Sequence, residues 1–187
     1  MTSHSGRDMA MLMGGLVAGV IGSRLLPPLL ANISGSRRVR SGGEPFAMLM
    51  EDHRQILSIL DRMADAPTGS KFQRGRLFLM LKRKLAKHAM AEEDVVYPIV
   101  HNDSANGNER KHLYDEHAEM KVLLYEIEKQ LQSGKDWSGS VLPLRDLIAR
   151  HVQEEETVIF PELRRELRGE DSPKLSGQIA REEALVI

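Results

Sequence analysis

Two copies of one short motif contain residue types that bind metal ions. Each copy has a histidine, a glutamate four residues later, an aromatic residue and a proline: His88, Glu92, Tyr97 and Pro98 in the first, and His151, Glu155, Phe160 and Pro161 in the second. The two copies are offset by 63 residues. One more histidine precedes each copy, and these two, His53 and His117, are 64 residues apart. The repeat predicts a duplicated helical hairpin.

The spacing of histidine and glutamate within each copy places both side chains on one helix face. Positions i and i+4 of an α-helix lie about 40° apart around the axis and about 6 Å along it, so both side chains reach one point. With His53 and His117, the set offers four imidazoles and two carboxylates, enough for two metal ions bridged by both glutamates. Such ligands suit iron, manganese or zinc, and open coordination positions indicate reaction or gas binding.

A third pair with the same spacing shows that one such pair is a weak signal. His112 and Glu116 lack the following aromatic residue and proline and have no counterpart in the other half, so we predict that His112 is a surface residue. For the repeated pairs, the alternative is a solvated contact on an exposed helix face, which contributes about 0.2–0.5 kcal/mol. Apolar neighbours such as Leu85 and Ile148 favour a buried position instead.

The order His, HxxxE, His, HxxxE over about residues 45–167 resembles the hemerythrin-like, or HHE cation-binding, family of four-helix bundles. The resemblance implies a cofactor of two non-haem iron ions that are bridged by carboxylates and by an oxo or hydroxo group. The protein ligands that it implies are His53 and His88 on one iron, His117 and His151 on the other, and Glu92 and Glu155 as bridges.

One feature departs from the oxygen-carrying members of that family. They have a fifth histidine four residues before or after the ligand of the third helix, where this chain has Leu113 and Lys121. The resemblance therefore argues against simple reversible oxygen carriage. It implies vacant coordination positions that bind water, peroxide or nitric oxide.

Two functions fit such a site, and the sequence leaves both open. The first is a di-iron protein that binds or reduces a small oxidant (dioxygen, peroxide or nitric oxide), in oxygen or stress sensing or in detoxification. The alternative is an iron-responsive binding or adaptor module without turnover, in which metal occupancy folds the bundle. Ferritin-like storage is the least favoured, because that design pairs glutamate with a histidine three residues later.

Residues 9–33 are apolar and rich in glycine, unlike the rest of the chain. Their uncharged part, residues 9–23, would form a helix of about 22 Å, and it is shorter than the roughly 20 residues that span a bilayer. Three interpretations stay open. The segment attaches the protein to a membrane, mediates helix dimerisation through rows of small residues that include Gly15 and Gly19, or is a flexible or signal-like leader.

The composition narrows the class of protein and its partners. A chain of 187 residues with 41% hydrophobic residues suits one packed domain with tails. The net charge of −1 gives no electrostatic drive toward nucleic acid, so we expect no nucleic-acid partner. The absence of cysteine excludes disulfides and thiolate metal sites and suits a reducing cytoplasm.

If residues 9–33 insert, the arginines at 37, 38 and 40 would keep the metal domain on the inner face of the membrane.

Helical periodicity predicts an all-α fold, an antiparallel four-helix up-down bundle of duplicated helical hairpins. We place the bundle at residues 44–168, an apolar N-terminal helix with its linker at residues 1–43, and a mobile C-terminal tail at residues 169–187. The predicted helices run over about residues 45–66, 69–98, 109–131 and 138–168. The tail has one short helix or is a docking peptide.

Neighbouring residues are expected to orient the ligands. Each metal-bound histidine should donate its second ring N–H to a carboxylate or a carbonyl. Six acidic residues are close enough in sequence, although each also fits a solvated surface charge: Glu51, Asp52, Glu93, Asp115, Glu116 and Glu154. We interpret Tyr97 and Phe160 as core residues, with a hydrogen bond from Tyr97 to a metal-bound species as the alternative. Pro98 and Pro161 either bend the helix at the end of the metal pocket or begin a turn.

Overall fold

The computed structural model describes residues 44–100, 109–167 and 171–185, which are helical apart from short turns. The helices, labelled in chain order, are α1 (Ala47–Ala64), α2 (Lys71–Ala91), α3 (Glu109–Ser133), α4 (Ser138–Glu154), α5 (Phe160–Glu166) and α6 (Asp171–Glu183). Three further turns follow α2 and α4: a π-helical turn Glu92–Val96 and a 3-10 turn Tyr97–Ile99 after α2, and a π-helical turn Glu155–Ile159 between α4 and α5. The predicted all-α class is confirmed, and the helix ends agree with the prediction to within a few residues.

Local signals in the sequence set the helix ends. The Ser70 hydroxyl accepts a hydrogen bond of 3.2 Å from the Gln73 N–H and caps the start of α2. After α3, Gly134 adopts a φ of 71°, and the N–H groups of Gly134 and Lys135 donate to carbonyls of the last turn. This left-handed C-terminal cap strains a residue that has a Cβ, so a glycine ends the helix.

The four long helices pack around a common interior. Helix α1 contacts α2 and α4, and α3 contacts the same two helices, so each has two neighbours. The antiparallel up-down order stays a prediction. The predicted N-terminal helix lies outside the described residues, as does all of 1–43. Within the part of the chain that the structure describes, no helix combines the length and apolarity needed to cross a membrane.

Two apolar clusters enclose the layer that contains the predicted ligands. The Trp137 cluster lies on one side and includes Ile56, Leu81, Leu85, Met120, Trp137, Leu144 and Ile148. The Phe160 cluster lies on the other and includes Phe46, Leu49, Ala91, Tyr97, Leu113, Ile159 and Phe160. In α1, α2 and α3 the predicted ligand histidine falls between residues of the two clusters, and His151 of α4 is followed by residues of the Phe160 cluster in the next two segments. Polar groups in this layer are therefore removed from water and need partners inside the protein.

Residues 171–183 form the short helix that was predicted for the tail, and its docking on the bundle corrects the predicted mobility. Helix α6 packs against α2 and against the π-helical turn that follows it. It buries Leu175 and Ile179 in the Phe160 cluster. The helix docks because apolar residues four positions apart, in an otherwise polar stretch, are enough to give a short helix one core-facing side.

Candidate metal centre

All six predicted ligand residues converge in the interior of the bundle. The four histidines His53, His88, His117 and His151 are between 1% and 3% exposed, and Glu92 and Glu155 are completely buried. Each long helix contributes one histidine, and the carboxylates follow α2 and α4. The structure therefore brings together every residue that the repeat singled out.

Glu155 lies between the two pairs of histidines. Its Oε2 is 3.2 Å from His53 Nε2, and its Oε1 is 3.4 Å from His151 Nε2. The two oxygens of one carboxylate thus face histidines that belong to different halves of the repeat. This arrangement is the one that a bridging carboxylate requires.

Glu92 also faces histidines from both halves. Its Oε1 is 3.6 Å from His53 Nε2, and its Oε2 is 3.1 Å from His88 Nε2 and 3.5 Å from His117 Nε2. Ligand atoms bound at about 2.1 Å to one ion lie about 3.0–3.4 Å apart at octahedral to tetrahedral angles. The observed separations are close to these values, so a metal ion fits between the donor atoms with little movement of the side chains.

Three buried ligand atoms that face the centre make no hydrogen bond among the described residues, namely Glu92 Oε1, Glu155 Oε2 and His53 Nε2, although His53 Nε2 is 3.2 Å from Glu155 Oε2 and 3.6 Å from Glu92 Oε1. Burying a charged oxygen without a hydrogen bond costs free energy, which a bound cation offsets. Imidazole nitrogen and carboxylate oxygen are also the donors that iron, manganese and zinc accept. The residues present therefore fit a metal centre.

The charges of the buried side chains perturb one another strongly. Burial raises the pKa of Glu92 and Glu155, but the surrounding histidines outweigh it and hold the pKa of both below the usual range. Burial lowers the pKa of His53, but the carboxylates of Glu155 and Glu92 raise it to about 10. His151 also reaches a pKa of about 10, because Glu155 and Glu116 outweigh its burial. A metal cation would take the place of these imidazole protons.

Both carboxylates stand at the start of a π-helical turn. Glu92 and Glu155 each open such a turn, which adds one residue relative to the α-helical repeat and is frequent at functional sites. Pro98 and Pro161 follow within the first two positions of the next helical segment, where a missing N–H loses no hydrogen bond. Both prolines thus begin a segment, a short 3-10 turn in the first copy and α5 in the second.

Three of the four histidines contact a carboxylate through the second ring nitrogen. His53 Nδ1 is 2.8 Å from Glu156 Oε1, His117 Nδ1 is 2.9 Å from Glu93 Oε1, and His151 Nδ1 is 2.7 Å from Glu116 Oε2. An ionised carboxylate only accepts hydrogen bonds, so the proton is on Nδ1 and Nε2 points toward the centre. Of the two interpretations offered for Glu93 and Glu116, the structure favours the orienting one.

Glu156 was missed at the sequence level, although the sequence contains a signal for it. A second glutamate follows the candidate ligand in both copies, and Glu93 and Glu156 are offset by the same 63 residues as the motif. Three other candidates lie outside the centre and have partners nearer the surface: Glu51 with Arg54, Asp115 with Lys111, and Glu154 with His112.

His88 differs from the other three histidines. Its Nδ1 and the Oδ2 atom of Asp52 are both buried and have no hydrogen-bond partner among the described residues. Asp52 is the repeat counterpart of Glu116, but its side chain is one methylene shorter and its Oδ1 pairs with Lys84. Burial consequently dominates and lowers the pKa of His88 to about 4, whereas the pKa of His151 is raised.

Tyr97 reaches into the centre with its hydroxyl oxygen. The oxygen is 2.9 Å from His117 Nε2 and 3.2 Å from His151 Nε2. It is also 2.9 Å from Glu155 Oε1 and 3.5 Å from Glu92 Oε2. Burial, with the negative charges of both glutamates, raises the pKa of Tyr97 well above its usual value. The interpretation of Tyr97 as a core residue is confirmed, and its hydroxyl also lies near the predicted ligands, as the alternative interpretation required.

Phe160, the repeat counterpart of Tyr97, packs beside the centre without a polar atom. Its ring stacks on Phe46 with 4.5 Å between centroids and lies parallel to the His53 ring at 6.0 Å. The predicted role as a core aromatic residue is confirmed for Phe160.

A cavity of about 200 Å³ reaches the four histidines. Its remaining lining is mostly apolar and comes from the four long helices, with Lys82 and Lys121 as the charged members. A small molecule in this cavity would touch the imidazoles and little other polar surface.

His112 lies outside the buried centre, as predicted. Its side chain is 53% exposed, and its Nε2 is 3.5 Å from both Glu116 Oε1 and Glu154 Oε2. The pair that lacks the repeated flanks is therefore a surface contact.

Comparisons with known proteins agree with this geometry. The family model described as the hemerythrin HHE cation binding domain matches residues 44–171. A DNA nickase of Nostoc sp. is 31% identical over 121 residues, which are 65% of this chain and 34% of that protein, so the chain spans about a third of its length. An uncharacterized hemerythrin-like protein of Schizosaccharomyces pombe is 25% identical over 145 residues, 74% of this chain and 68% of that protein. No solved structure gives a significant match.

Proposed function

This chain belongs to the hemerythrin HHE cation-binding domain family, and on that premise we propose that it is a non-haem di-iron protein that binds or reduces a small oxidant. The oxidant is dioxygen, peroxide or nitric oxide, and the role is oxygen or stress sensing or detoxification. The observation that carries the proposal is the buried set of imidazoles and carboxylates in which Glu92 Oε1 and Glu155 Oε2 make no hydrogen bond among the described residues.

The proposed ligands divide into two groups inside an antiparallel up-down bundle. His53 and His88 hold one iron, His117 and His151 hold the other, and Glu92 and Glu155 bridge them. In support, His53, His88, Glu92 and Glu155 each offer a ligand atom within 4.8 Å of the others, and so do Glu92, His117 and His151. When bound, the two irons supply electrons and open coordination positions for the oxidant.

The surrounding residues orient the imidazoles and exclude water. Glu93, Glu116 and Glu156 hold three of the rings with Nε2 toward the irons and increase their basicity. The two apolar clusters seal the layer on both sides. The cavity of about 200 Å³ is smaller than the roughly 300–1,000 Å³ of sites for drug-sized molecules, which favours a ligand of a few atoms.

Anaerobic reconstitution with ferrous iron tests the proposal. We expect close to two irons per chain, followed by binding or consumption of at least one of the three oxidants. Glu155→Ala removes a donor from both positions and should abolish stoichiometric binding. His112→Ala is the matched control, because this exposed histidine has the same HxxxE spacing but lies outside the centre.

Two results would reject the proposal at different levels. An iron content near zero in the wild type, or one unchanged by Glu155→Ala, would reject the di-iron site. Two bound irons that neither bind nor consume dioxygen, peroxide or nitric oxide would reject the oxidant function alone.

One observation favours the alternative, an iron-responsive adaptor without turnover. Helix α6 packs on the π-helical turn whose first residue is Glu92, so metal binding by Glu92 and docking of α6 involve the same segment. This function predicts that metal removal increases protease cleavage within α6. It also predicts negligible peroxide or oxygen turnover by the loaded protein.

The similarity to a nickase does not extend the proposal to DNA. Nicking is the named activity of the Nostoc protein, of which the match covers only 34%. The net charge of −1 provides no drive toward nucleic acid. We propose a cytoplasmic location, with residues 9–33 as the segment for membrane attachment or dimerisation.

A further inference from the structure

We propose that the phenol oxygen of Tyr97 is a seventh protein donor of the centre and binds the metal ion held by His117 and His151. The inference rests on the proposed metal-binding function. It adds a type of ligand that the repeated histidine and glutamate motif does not contain.

The hydroxyl oxygen of Tyr97 is spaced like a ligand of that ion. It lies between 2.9 and 3.5 Å from the nearest donor atoms of His117, His151, Glu155 and Glu92. The two imidazole nitrogens are themselves 3.2 Å apart. Atoms that share an ion at about 2.1 Å are expected about 3.0–3.4 Å apart. The Tyr97 oxygen and the two Nε2 atoms, at mutual distances of 2.9, 3.2 and 3.2 Å, therefore have the spacing of atoms that share one ion.

Hydrogen bonding alone is the competing explanation for this cluster. A phenol has one hydrogen, so Tyr97 donates a hydrogen bond to one of its four neighbours. Any other hydrogen bond to its oxygen must come from a proton on the Nε2 atom of a histidine. Those Nε2 protons are lost when the histidines bind a metal ion. The ion would then occupy the space that the four neighbours and the Tyr97 oxygen surround.

The protein holds the Tyr97 ring in one place. The residue is completely buried at the start of the 3-10 turn and is followed by Pro98, which restricts the backbone. Its ring packs edge-on against Tyr114, with 5.2 Å between centroids. A donor in a fixed position loses little conformational freedom on binding an ion.

The proposed ligand distinguishes the two metal positions. Phe160, at the equivalent place in the second copy, has no donor atom for the ion of His53 and His88. Tyr97 also supplies a ligand atom that α3 lacks, since this chain has Leu113 at one of the positions where the oxygen-carrying members have a fifth histidine. The position with Tyr97 is therefore more fully coordinated, and the small oxidant binds the other ion.

Zinc titration of the metal-free full-length protein tests the ligand role without redox chemistry. Coordination ionises the phenol, so the near-ultraviolet difference spectrum should show one tyrosinate per chain as zinc binds. Tyr97→Phe should lose this signal and bind the zinc ion of this position about 10–100-fold more weakly. With ferric iron, the wild type should show a visible phenolate-to-iron charge-transfer band that Tyr97→Phe lacks.

The other tyrosines provide matched controls. The chain has 3 tyrosines, and the remaining two, Tyr114 and Tyr125, are 37% and 60% exposed. Tyr114→Phe and Tyr125→Phe should each retain the tyrosinate signal. If Tyr97→Phe does not fold, retention in both controls assigns the signal to Tyr97 by elimination.

The possible outcomes separate this inference from the proposed function. Two bound metal ions without a tyrosinate signal would overturn the ligand role of Tyr97 and leave the metal function standing. A signal that persists in Tyr97→Phe would overturn it as well. A wild-type protein that binds no metal would overturn both.

Discussion

Asp52 and Glu116 occupy equivalent places in the two halves of the bundle, directly before the first predicted ligand histidine of each half, yet they make different contacts. Glu116 reaches the Nδ1 atom of His151 across the helix interface. Asp52 pairs with Lys84 instead, and the equivalent nitrogen of His88 has no partner among the described residues. A side chain shorter by one methylene group thus leaves His88 without the kind of hydrogen bond that orients His151.

Tyr97 and Phe160 extend the contrast. The hydroxyl of Tyr97 lies among the donors of the second half, whereas Phe160 offers only an apolar ring to the first. The duplicated donors are retained, but the residues around them differ. The two proposed metal positions should therefore be unequal, with the tighter one at His117 and His151.

The largest effect of this inequality is expected when one motif histidine is removed from each half in turn. His88→Ala should keep one tightly bound metal ion, because the position with His117 and His151 retains its ligands. His151→Ala should bind its remaining ion at least about 10-fold more weakly, because that position depends on the unsupported His88. Competition with a chelator of known affinity measures the difference. Equal affinities of the two variants for their remaining metal ion would contradict the predicted inequality of the two positions.

The next effect is a difference in pKa between equivalent histidines, measured by NMR of the protein without metal. His88 should stay neutral at pH 6, since its pKa is about 4, and His151 should stay protonated at pH 8, since its pKa is about 10. Both start from an ordinary value of 6.5, so the shifts have opposite signs. Co-titration of the two rings near pH 6.5 would show that the halves are electrostatically alike.

The same shifts fix the pH dependence of stability without metal. The raised pKa of His151 stabilises the folded state fully below pH 6.5, and that contribution is lost as the pH rises through about 10. His88 has the opposite effect. Below pH 6.5 the unfolded chain binds a proton at His88 that the folded chain does not bind until about pH 4, so stability falls as the pH falls. Urea unfolding should therefore give a free energy of unfolding that is highest near pH 6.5 and that falls toward both pH 4 and pH 10.

The helices and the six donors could be predicted because both are encoded by spacing along the chain. Apolar residues at helical intervals marked α1 to α4, and the offset of 63 residues separated His88 and His151 from the surface pair at His112. Burial confirmed the choice of residues for the interior, and their role as metal ligands stays a prediction.

Contacts between helices were harder to predict from the sequence. Glu156 orients a histidine on α1, and which carboxylate crosses to which ring depends on how far each side chain extends. The position of Tyr97 depends on the π-helical turn before it, because one extra residue changes the direction of every side chain that follows. The docking of α6 depends on two apolar residues in a charged stretch.

A smaller effect is expected when the two carboxylates that differ between the halves are neutralised. Glu116→Gln should weaken metal binding at the second position about 10-fold, because it removes the charge that polarises His151. Asp52→Asn should change the first position by less than about threefold, since Asp52 makes no hydrogen bond to His88. Zinc affinities of the two variants test this, with Glu154→Gln as a nearby control. A large loss in Asp52→Asn would show that Asp52 acts on His88 through an unseen contact such as a water.

The smallest difference is expected where the two halves are alike. Glu93 and Glu156 follow the two glutamates that we propose as bridges, and they contact His117 and His53 at 2.9 and 2.8 Å. Their side chains are 26% and 27% exposed. Glu93→Gln and Glu156→Gln should therefore weaken metal binding by about the same factor, roughly threefold, because partly exposed charges are screened by water. Glu93 also contacts Lys121, so the two residues are alike in their histidine contacts but differ in a surface charge. If the two losses differ by more than about tenfold, surface charges as well as Tyr97 and Asp52 distinguish the metal positions.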